Sequence, residues 1–546
     1  MKFDELKFGF LSRSYLIKLC SSLCLLCSLW LFFFFANTQA QTYTNPVIAG
    51  DFPDPSVIRA GEDYYATATT GNWAPHFPLL HSRDLIKWSV VGAIFDKKPA
   101  WAKGDFWAPE IAVDKGRFFV YYTARRDEGA GKKGTLCVAV AVADKPTGPW
   151  QDKGPLVCQE MGSIDGFFIR DEKGKPYLVW KEDGNDRRQP TWLYAQPLDE
   201  SGTRLLGKPT KLFRNDAAWE NHVVEGSYII RRGGWFYHFY SGNACCGRAC
   251  NYALGVARAK TLLGKWEKNP ANPILKENET WQCPGHGTMV STPDGRWFKL
   301  YHAYRKRSDA FNIGREALLD EVKWTADGWP VINNGRGGSA TAAVPFPKTE
   351  QKQPRSWLEE FTEARNTPLW NYPLGSEQKF LLENGFVLLA PTEKRPTDAA
   401  EKNSELVLAQ RTVSGDYTAT TRIDVSGLKA NESAGLSAYS WRTNAVGLSV
   451  GGGRIFTWRR AGEKQTEVAS APMPKDAKAI YLRIKAADGE FYNFAFSADG
   501  EIWRDIGERI AESGVEGARV ALIYNGGGAA AIPGARFDWL RVVNEK

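Results

Sequence analysis

From about residue 50 to residue 330 the chain alternates short apolar or β-branched runs with glycine-bearing turns, a pattern that predicts β-hairpins rather than helices. Five segments share one plan: a polar residue, a small or apolar step, a turn, then an aromatic-rich run. They begin at Asp54, Glu110, Asp165, Glu225 and His286, which are 56, 55, 60 and 61 positions apart. Each hairpin is followed by a further strand-like stretch ending near a tryptophan, such as Leu79 to Trp88, Val138 to Trp150 and Leu254 to Trp266. Trp192 to Ala195 and Leu318 to Trp324 occupy the same place after the third and fifth hairpins. Four strands repeated five times at this period predict a five-bladed β-propeller, in which the first strand of each blade lines a central channel.

The pattern changes after residue 335. A stretch rich in Gly, Ala, Pro and Lys, 336–356, reads as a linker. From 357 to 546, runs such as Glu405–Ala409, Tyr417–Ile423, Ala434–Tyr439, Ile480–Ile484 and Phe491–Phe496 predict a second domain, a β-sandwich of jelly-roll type. The expected fold class is all-β, with the propeller over 41–335. An independent carbohydrate-binding module is the alternative reading of the second domain.

Composition agrees with this division. A chain of 546 residues, 43% apolar and 24% charged, exceeds one ordinary core, and its 52 Gly, 29 Pro and 21 Trp suit turns and short strands. Residues 1–40 read as an export signal: Lys2, Lys7, Arg13 and Lys18 precede an apolar run from about Leu19 to Ala36, with small residues up to Ala40. An uncleaved anchor helix is the alternative. Cleavage before Gln41 places the protein outside the cell or in the periplasm, with no membrane partner. It also changes the net charge from +8 to +6, because four basic and two acidic residues leave. That excess is scattered, and the absence of a basic track interleaved with aromatics argues against a nucleic-acid partner. Of nine cysteines, six remain after cleavage, and export permits disulfides whose connectivity the sequence leaves open. A local disulfide is the favoured reading of the Cys245, Cys246 and Cys250 cluster; zinc is the rival, but no paired histidine spacing accompanies it.

In a propeller the five leading residues converge at one end of the axis, and four of them are carboxylates. Clustered carboxylates shift one another's proton affinity, and glycosidic cleavage needs such a set: one acid to protonate the leaving oxygen, one carboxylate to activate water. Any one Asp-Pro or Glu-Gly step reads equally as a turn residue. Five polar residues in matching register at a buried channel are costly without a shared purpose.

The ordered set Tyr43-Thr44-Asn45-Pro46-Val47, Asp51-Phe52-Pro53-Asp54-Pro55-Ser56-Val57, Trp107-Ala108-Pro109-Glu110, Ile164-Asp165-Gly166, Glu225-Gly226-Ser227-Tyr228 and Gly285-His286-Gly287 resembles glycoside hydrolase family 43, from about Asn45 to Ile332. The resemblance implies an inverting hydrolase in which Asp54 is the base on water, Glu225 the acid, and Asp165 the residue that raises and orients that acid. An inverting pair leaves roughly 6.5–9.5 Å for the water. On the same resemblance, desolvation and Asp165 keep Glu225 protonated near neutral pH. His286 resembles a channel histidine near a bound Ca2+ or other cation, or is a hydrogen-bonded core histidine; no cofactor is required. Arg315 resembles an arginine that reaches the sugar, and Glu110 belongs near the pocket. Trp107 and Trp73 are candidates to stack on a sugar face, Trp107 the better one. The family commonly has proline where this chain has Gly166 and Gly226, with only local backbone consequences expected.

Glu360-Phe361 with Trp370, Ala434-Gly435-Leu436 and Ser497 to Trp503 resemble the concanavalin-like domain of xylosidase-type members, which packs on the propeller. The implied activity is pentose release from plant polysaccharide or oligosaccharide, by an exo-acting α-L-arabinofuranosidase first and a β-xylosidase as the alternative. Endo-acting arabinan cleavage is a weaker variant. A non-catalytic carbohydrate-binding propeller is the competing class.

Overall fold

The computed structural model describes residues 41–545 except 188, 308–309, 348, 350, 352–355, 363–369, 375–379, 391–404, 441–443, 463 and 527–533. The expected export signal, 1–40, lies outside the described residues. No helix among those described is long and apolar enough to cross a membrane.

Among the described residues five four-stranded antiparallel sheets lie between 56 and 332, four built from consecutive strands and one, blade one, with the short strand Trp73–Ala74 between its second and third. Blade one comprises Ser56–Ala60, Asp63–Thr67, His76–Ser82 and Ser89–Phe95. The other four begin with Ala102–Asp114, Ser163–Arg170, Val224–Arg232 and Trp281–Ser291. These first strands neighbour one another in a closed ring, the last against the first, so they surround the axis of a propeller. Between blades the side chains form apolar clusters. One joins Ile58, Phe77 and Phe106 to Val120 and Tyr122, and the strand Leu136–Ala143, an alternation of small and branched residues, is buried along its whole length. The tryptophans expected on outer strands sit just before them, at Trp88, Trp150 and Trp266, or within or at the end of the third strand, at Trp192 and Trp324.

The inner strands are not regular. Pairing with the second strand slips between Trp107 and Glu110, Ile164 and Phe167, Glu225 and Tyr228, and Gln282 and Gly287. Each bulge falls on a leading residue of the sequence repeat. Positive φ angles at Asp54 (52°), Ala108 (42°), Asp165 (57°), Gly226 (65°) and His286 (39°) mark the same turn of the backbone. A bulge leaves backbone N–H groups without ladder partners, and hydroxyls of the preceding blade receive them. Ala108 donates to Thr69 Oγ1, Asp165 to Thr123 Oγ1, Val224 to Thr191 Oγ1, His286 to Ser241 Oγ and Val57 to Thr288 Oγ1.

The ring is closed by the two ends of the domain. Thr42–Thr44 pairs with Thr341–Ala343, and the Asn45 side chain bonds Leu319 and Ser339. The stretch expected as a linker is therefore held against the propeller over its first part, because its backbone completes a two-stranded sheet with the N-terminal segment.

The second domain is a sandwich of a nine-stranded and a six-stranded antiparallel sheet. All five expected strand runs lie in it, as Glu405–Arg411, Tyr417–Asp424, Glu432–Tyr439, Ala479–Ala487 and Phe491–Ser497. In Tyr417–Asp424 every second residue is buried, so Tyr417, Ala419, Thr421 and Ile423 face the opposite sheet. Fully burying each large apolar side chain in that interior contributes about 1.5–3 kcal/mol. Among the described residues three disulfides link Cys137 to Cys158, Cys245 to Cys246, and Cys250 to Cys283. The Cys245–Cys246 bond is local, as expected of the cluster, whereas Cys250 reaches the inner strand of blade five.

Candidate active site

Asp54, Asp165 and Glu225 are all buried, and His286 is the group that relates them: its imidazole acts electrostatically on all three carboxylates. Its Nδ1 lies 3.6 Å from Asp54 Oδ1.

Asp54 is held by both oxygens. Arg315 Nη1 donates to Oδ1 at 3.0 Å and Thr69 Oγ1 to Oδ2 at 2.8 Å. Burial opposes ionisation, but the Arg315 guanidinium, assisted by His286, outweighs it and holds the Asp54 carboxyl well below the usual range. His302 Nδ1 is 3.1 Å from Asp54 Oδ1, yet that nitrogen accepts the Asp54 backbone N–H at 3.0 Å and so has no proton to share. Burial lowers the His302 imidazole to about 4, which agrees with a neutral ring positioning the backbone rather than forming an ion pair.

Glu225 is held equally firmly. Lys181 Nζ donates to Oε2 at 2.6 Å, and Tyr252 OH donates to Oε1 at 2.9 Å. The Tyr252 ring stacks on His302 at 5.7 Å between centroids, so one side chain runs from the acid candidate to the neighbourhood of the base candidate. Asp165 Oδ2 accepts the Gly226 N–H at 2.8 Å. Burial and the Glu225 carboxylate, opposed by His286 and Lys181, push the Asp165 carboxyl up to about 6. Burial also raises Glu225, but the Lys181 ammonium more than reverses this and its carboxyl lies below its ordinary value. The expectation that desolvation and Asp165 keep Glu225 protonated is therefore corrected: a buried cation sits on Glu225, and Asp165 has the greater proton affinity of the two.

Glycine after Asp165 and after Glu225 has more than local consequences. Gly226 adopts φ 65°, gives its N–H to Asp165, and lies so close to His286 that a Cβ there would meet the imidazole at 3.1 Å. Proline has neither that φ nor the donor. At Gly166 a Cβ would collide with Val138.

The remaining candidates divide. Arg315 is in the site, but one of its nitrogens is engaged with Asp54 rather than free for a sugar. Glu110 is buried; burial raises its carboxyl well above the usual range, opposed by Lys299 and aided by Asp165. Trp107 is half-buried beside its bulge, and among the described residues no other ring or cation stacks on it. Trp73 is not available to a sugar. Only 4% of it is exposed, Arg519 of the sandwich lies 4.2 Å from its ring centroid, and it packs with Val407, Tyr439 and Trp458. The face expected to stack on a sugar is covered by the second domain. Among the described residues no group of three His, Cys, Asp or Glu side chains is close enough to hold a metal, and the Cys245–Cys246–Cys250 cluster forms disulfides.

Residues 43–330 match the family model for glycosyl hydrolases family 43. The chain belongs to this family. Residues 359–543 match the β-xylosidase C-terminal concanavalin A-like domain that accompanies family 43 propellers. Among family 43 relatives, a xylosidase/arabinosidase 43B of Humicola insolens is 27% identical over 515 residues, covering 85% of this chain and 88% of the relative. A β-xylosidase of Bacillus subtilis (strain 168) is 26% identical over 505 residues, 85% of this chain and 90% of its own. A non-reducing end α-L-arabinofuranosidase of Bacteroides ovatus is 24% identical over 559 residues, 95% and 98% of the two chains. The crystal structure of the family 43 protein BlXynB from Bacillus licheniformis superposes with a TM-score of 0.78 at 26% identity, over 92% of this chain and all of the other. This family 43 chain is thus a glycoside hydrolase of the xylosidase/arabinofuranosidase group.

Pattern alone left Lys181, Tyr252, His302 and the hydroxyls of Thr69, Thr123 and Ser241 unassigned. One signal was present for Lys181: a lysine at the end of an apolar strand, Pro176–Glu182, directly after Trp180. Of the others, Thr123, Ser241 and His302 lie on second strands and Thr69 and Tyr252 follow them, and register with the bulged first strands decides which side chain reaches the axis.

Proposed function

We propose that this protein is an exported, exo-acting, inverting pentosidase that removes terminal α-L-arabinofuranose or β-D-xylose from plant cell-wall polysaccharides or oligosaccharides. The observation that carries the reading is the division of charge among the three carboxylates. Asp54, fixed by Arg315 and Thr69, is ionised and suited to take a proton from water. Glu225 and Asp165 form a coupled pair that retains a proton, and Glu225 delivers it to the glycosidic oxygen while water attacks from the Asp54 side. No covalent sugar intermediate forms, and the anomeric configuration inverts.

Exo action is supported by the sandwich. Residues 512–518 lie against blade five beside Arg315: Gly517 N–H bonds Phe311 O, Ala518 N–H bonds Asn312 O, and Tyr304 OH donates to Glu516 at 2.7 Å. A wall on one side of the channel suits a pocket for a chain end better than a through-going cleft. Export is supported by residues 1–40 and by the disulfides, which persist in oxidising compartments. Relatives named as β-xylosidase, xylosidase/arabinosidase and α-L-arabinofuranosidase support keeping both sugars.

Release of 4-nitrophenol from α-L-arabinofuranoside and β-D-xyloside tests the reading and separates the two sugars, and NMR of the first-formed product anomer tests inversion. Glu225→Gln is expected to lower turnover of oligosaccharides by roughly 100- to 10,000-fold, the contribution of a general acid. Unchanged turnover in that variant refutes the acid assignment, and an inactive wild type on every pentoside favours a carbohydrate-binding propeller.

A further inference from the structure

Lys181 is the buried charge for which the three-carboxylate scheme has no role. Its side chain is 0% exposed and comes from the second strand of blade three. Placing an ammonium there costs several kcal/mol of hydration, so its contacts must answer that cost. Nζ donates to Glu225 Oε2 at 2.6 Å and to Asn185 Oδ1 at 2.8 Å, with Asp183 Oδ1 at 3.6 Å. Asn185 Nδ2 adds a longer contact of 3.4 Å to the same Glu225 oxygen. The two oxygens of Glu225 are therefore unlike: Oε2 is enclosed by Lys181 and Asn185, whereas Oε1 meets only the Tyr252 hydroxyl among the described residues.

We propose that Lys181 is a positioning residue for the acid, clamping Glu225 by Oε2 so that Oε1, on the Tyr252 side, is the oxygen that carries the proton to the leaving group. This rests on the glycosidase reading above. Other charged or titratable groups also face Glu225: Asp183 on the blade-three side, Asp165 on the inner strand of blade three, His286 on that of blade five, and Tyr252 before the third strand of blade four. Among them Lys181 exerts the largest pull toward the ionised form. An acid is active only while protonated, so activity is lost as pH rises through the value at which Glu225 ionises. A cation on Glu225 moves that loss to lower pH, and removing the cation moves it to higher pH.

The experiment uses the full-length protein and its Lys181→Met and Lys181→Arg variants. Glutamate carboxyl carbons labelled with 13C are titrated by NMR, with Glu225→Gln identifying the resonance. In parallel, kcat is measured against pH for pentosides with a 2,4-dinitrophenyl leaving group and with an alkyl one. In Lys181→Met the Glu225 midpoint and the alkaline limb of kcat are expected to rise together by about one unit or more, the scale of a lost neighbouring charge. Turnover of the alkyl pentoside, which needs the proton, is expected to fall roughly tenfold or more beyond that of the dinitrophenyl one. Lys181→Arg keeps the charge and the limb. An unmoved Glu225 midpoint, or equal losses on both leaving groups at every pH, overturns the proposal. Should Lys181→Met fail to fold by circular dichroism, Lys181→Gln, neutral and hydrogen-bonding, gives the same two readouts. If the wild type cleaves no pentoside, the glycosidase reading fails, whereas the NMR midpoint still decides whether Lys181 governs Glu225.

Discussion

At the scale of single residues, the site is a set of carboxylates made unequal by their neighbours. Asp54 and Glu225 each have a cation at hydrogen-bond distance, Arg315 and Lys181, whereas Asp165 has only a backbone N–H and the more distant His286 and Lys181. Asp165 and Glu225 titrate as a pair, and the proton the pair retains is the one the acid step consumes. The consequence for pH is direct. Burial and the Glu225 carboxylate push Asp165 up to about 6, so kcat/KM is expected to decline as pH rises through that value. Asp165→Asn removes a negative charge beside Glu225, which makes Glu225 ionise more readily, and the alkaline limb is expected to move to lower pH with a fall in kcat. A pH–rate series on the variant and the wild type checks both statements. Lys181, at Oε2, holds the Glu225 carboxyl low, while the Glu225 carboxylate raises Asp165.

At the scale of elements, the bulge is the device that turns a repeat into a site. Without it the leading residues would follow the ladder and alternate between faces; with it they turn toward the axis while the freed N–H groups reach the preceding blade. Thr123 shows the coupling: it is wholly buried, sits on the second strand of blade two, and accepts the N–H of Asp165 on blade three. Thr123→Val preserves shape but leaves that N–H without a partner, so a loss of about 1–3 kcal/mol is expected in urea unfolding, together with lowered turnover. If stability and turnover are both unchanged, the hydroxyl bridge is not what holds the bulge. The hairpins themselves were legible because apolar alternation and glycine turns are local signals. The hydroxyl bridges were not, because a buried threonine in a strand looks the same whether it bonds across a seam or packs.

At the scale of the whole molecule, the sandwich is part of the propeller's structure rather than a tethered addition. Arg411 donates to Asp51 O and Asn371 Oδ1 and lies 4.4 Å from the Phe52 ring centroid. Arg519 donates to Asn371 Oδ1 and Gly517 O and covers Trp73. Asp51 and Phe52 are three and two residues before Asp54, and Asp51 also accepts the Arg315 N–H, so the interface supports the segment that carries the base candidate. Arg519→Leu leaves buried acceptors unpaired and is expected to destabilise the protein by about 1–3 kcal/mol. Calorimetry is expected to show one transition in the wild type and a separated, earlier one in the variant. An unaltered single transition would mean that the two domains are held together elsewhere.

The sequence by itself determined the all-β class, the five hairpin repeats, the second β domain and the four leading carboxylates, from which the resemblance to family 43 singled out Asp54, Asp165 and Glu225. Each of these is written in local order, in the period-two alternation, the turn residues and the spacing of Asp54, Asp165 and Glu225. Only the tertiary structure decided what those carboxylates meet. Lys181, Tyr252, His302 and Thr69 reach the site from other strands or loops, and Trp73 is withdrawn from it by a domain that begins hundreds of residues later. A proton's preference among Asp54, Asp165 and Glu225 depends on charges a few ångströms away in space, and that distance has no counterpart in the order of the chain.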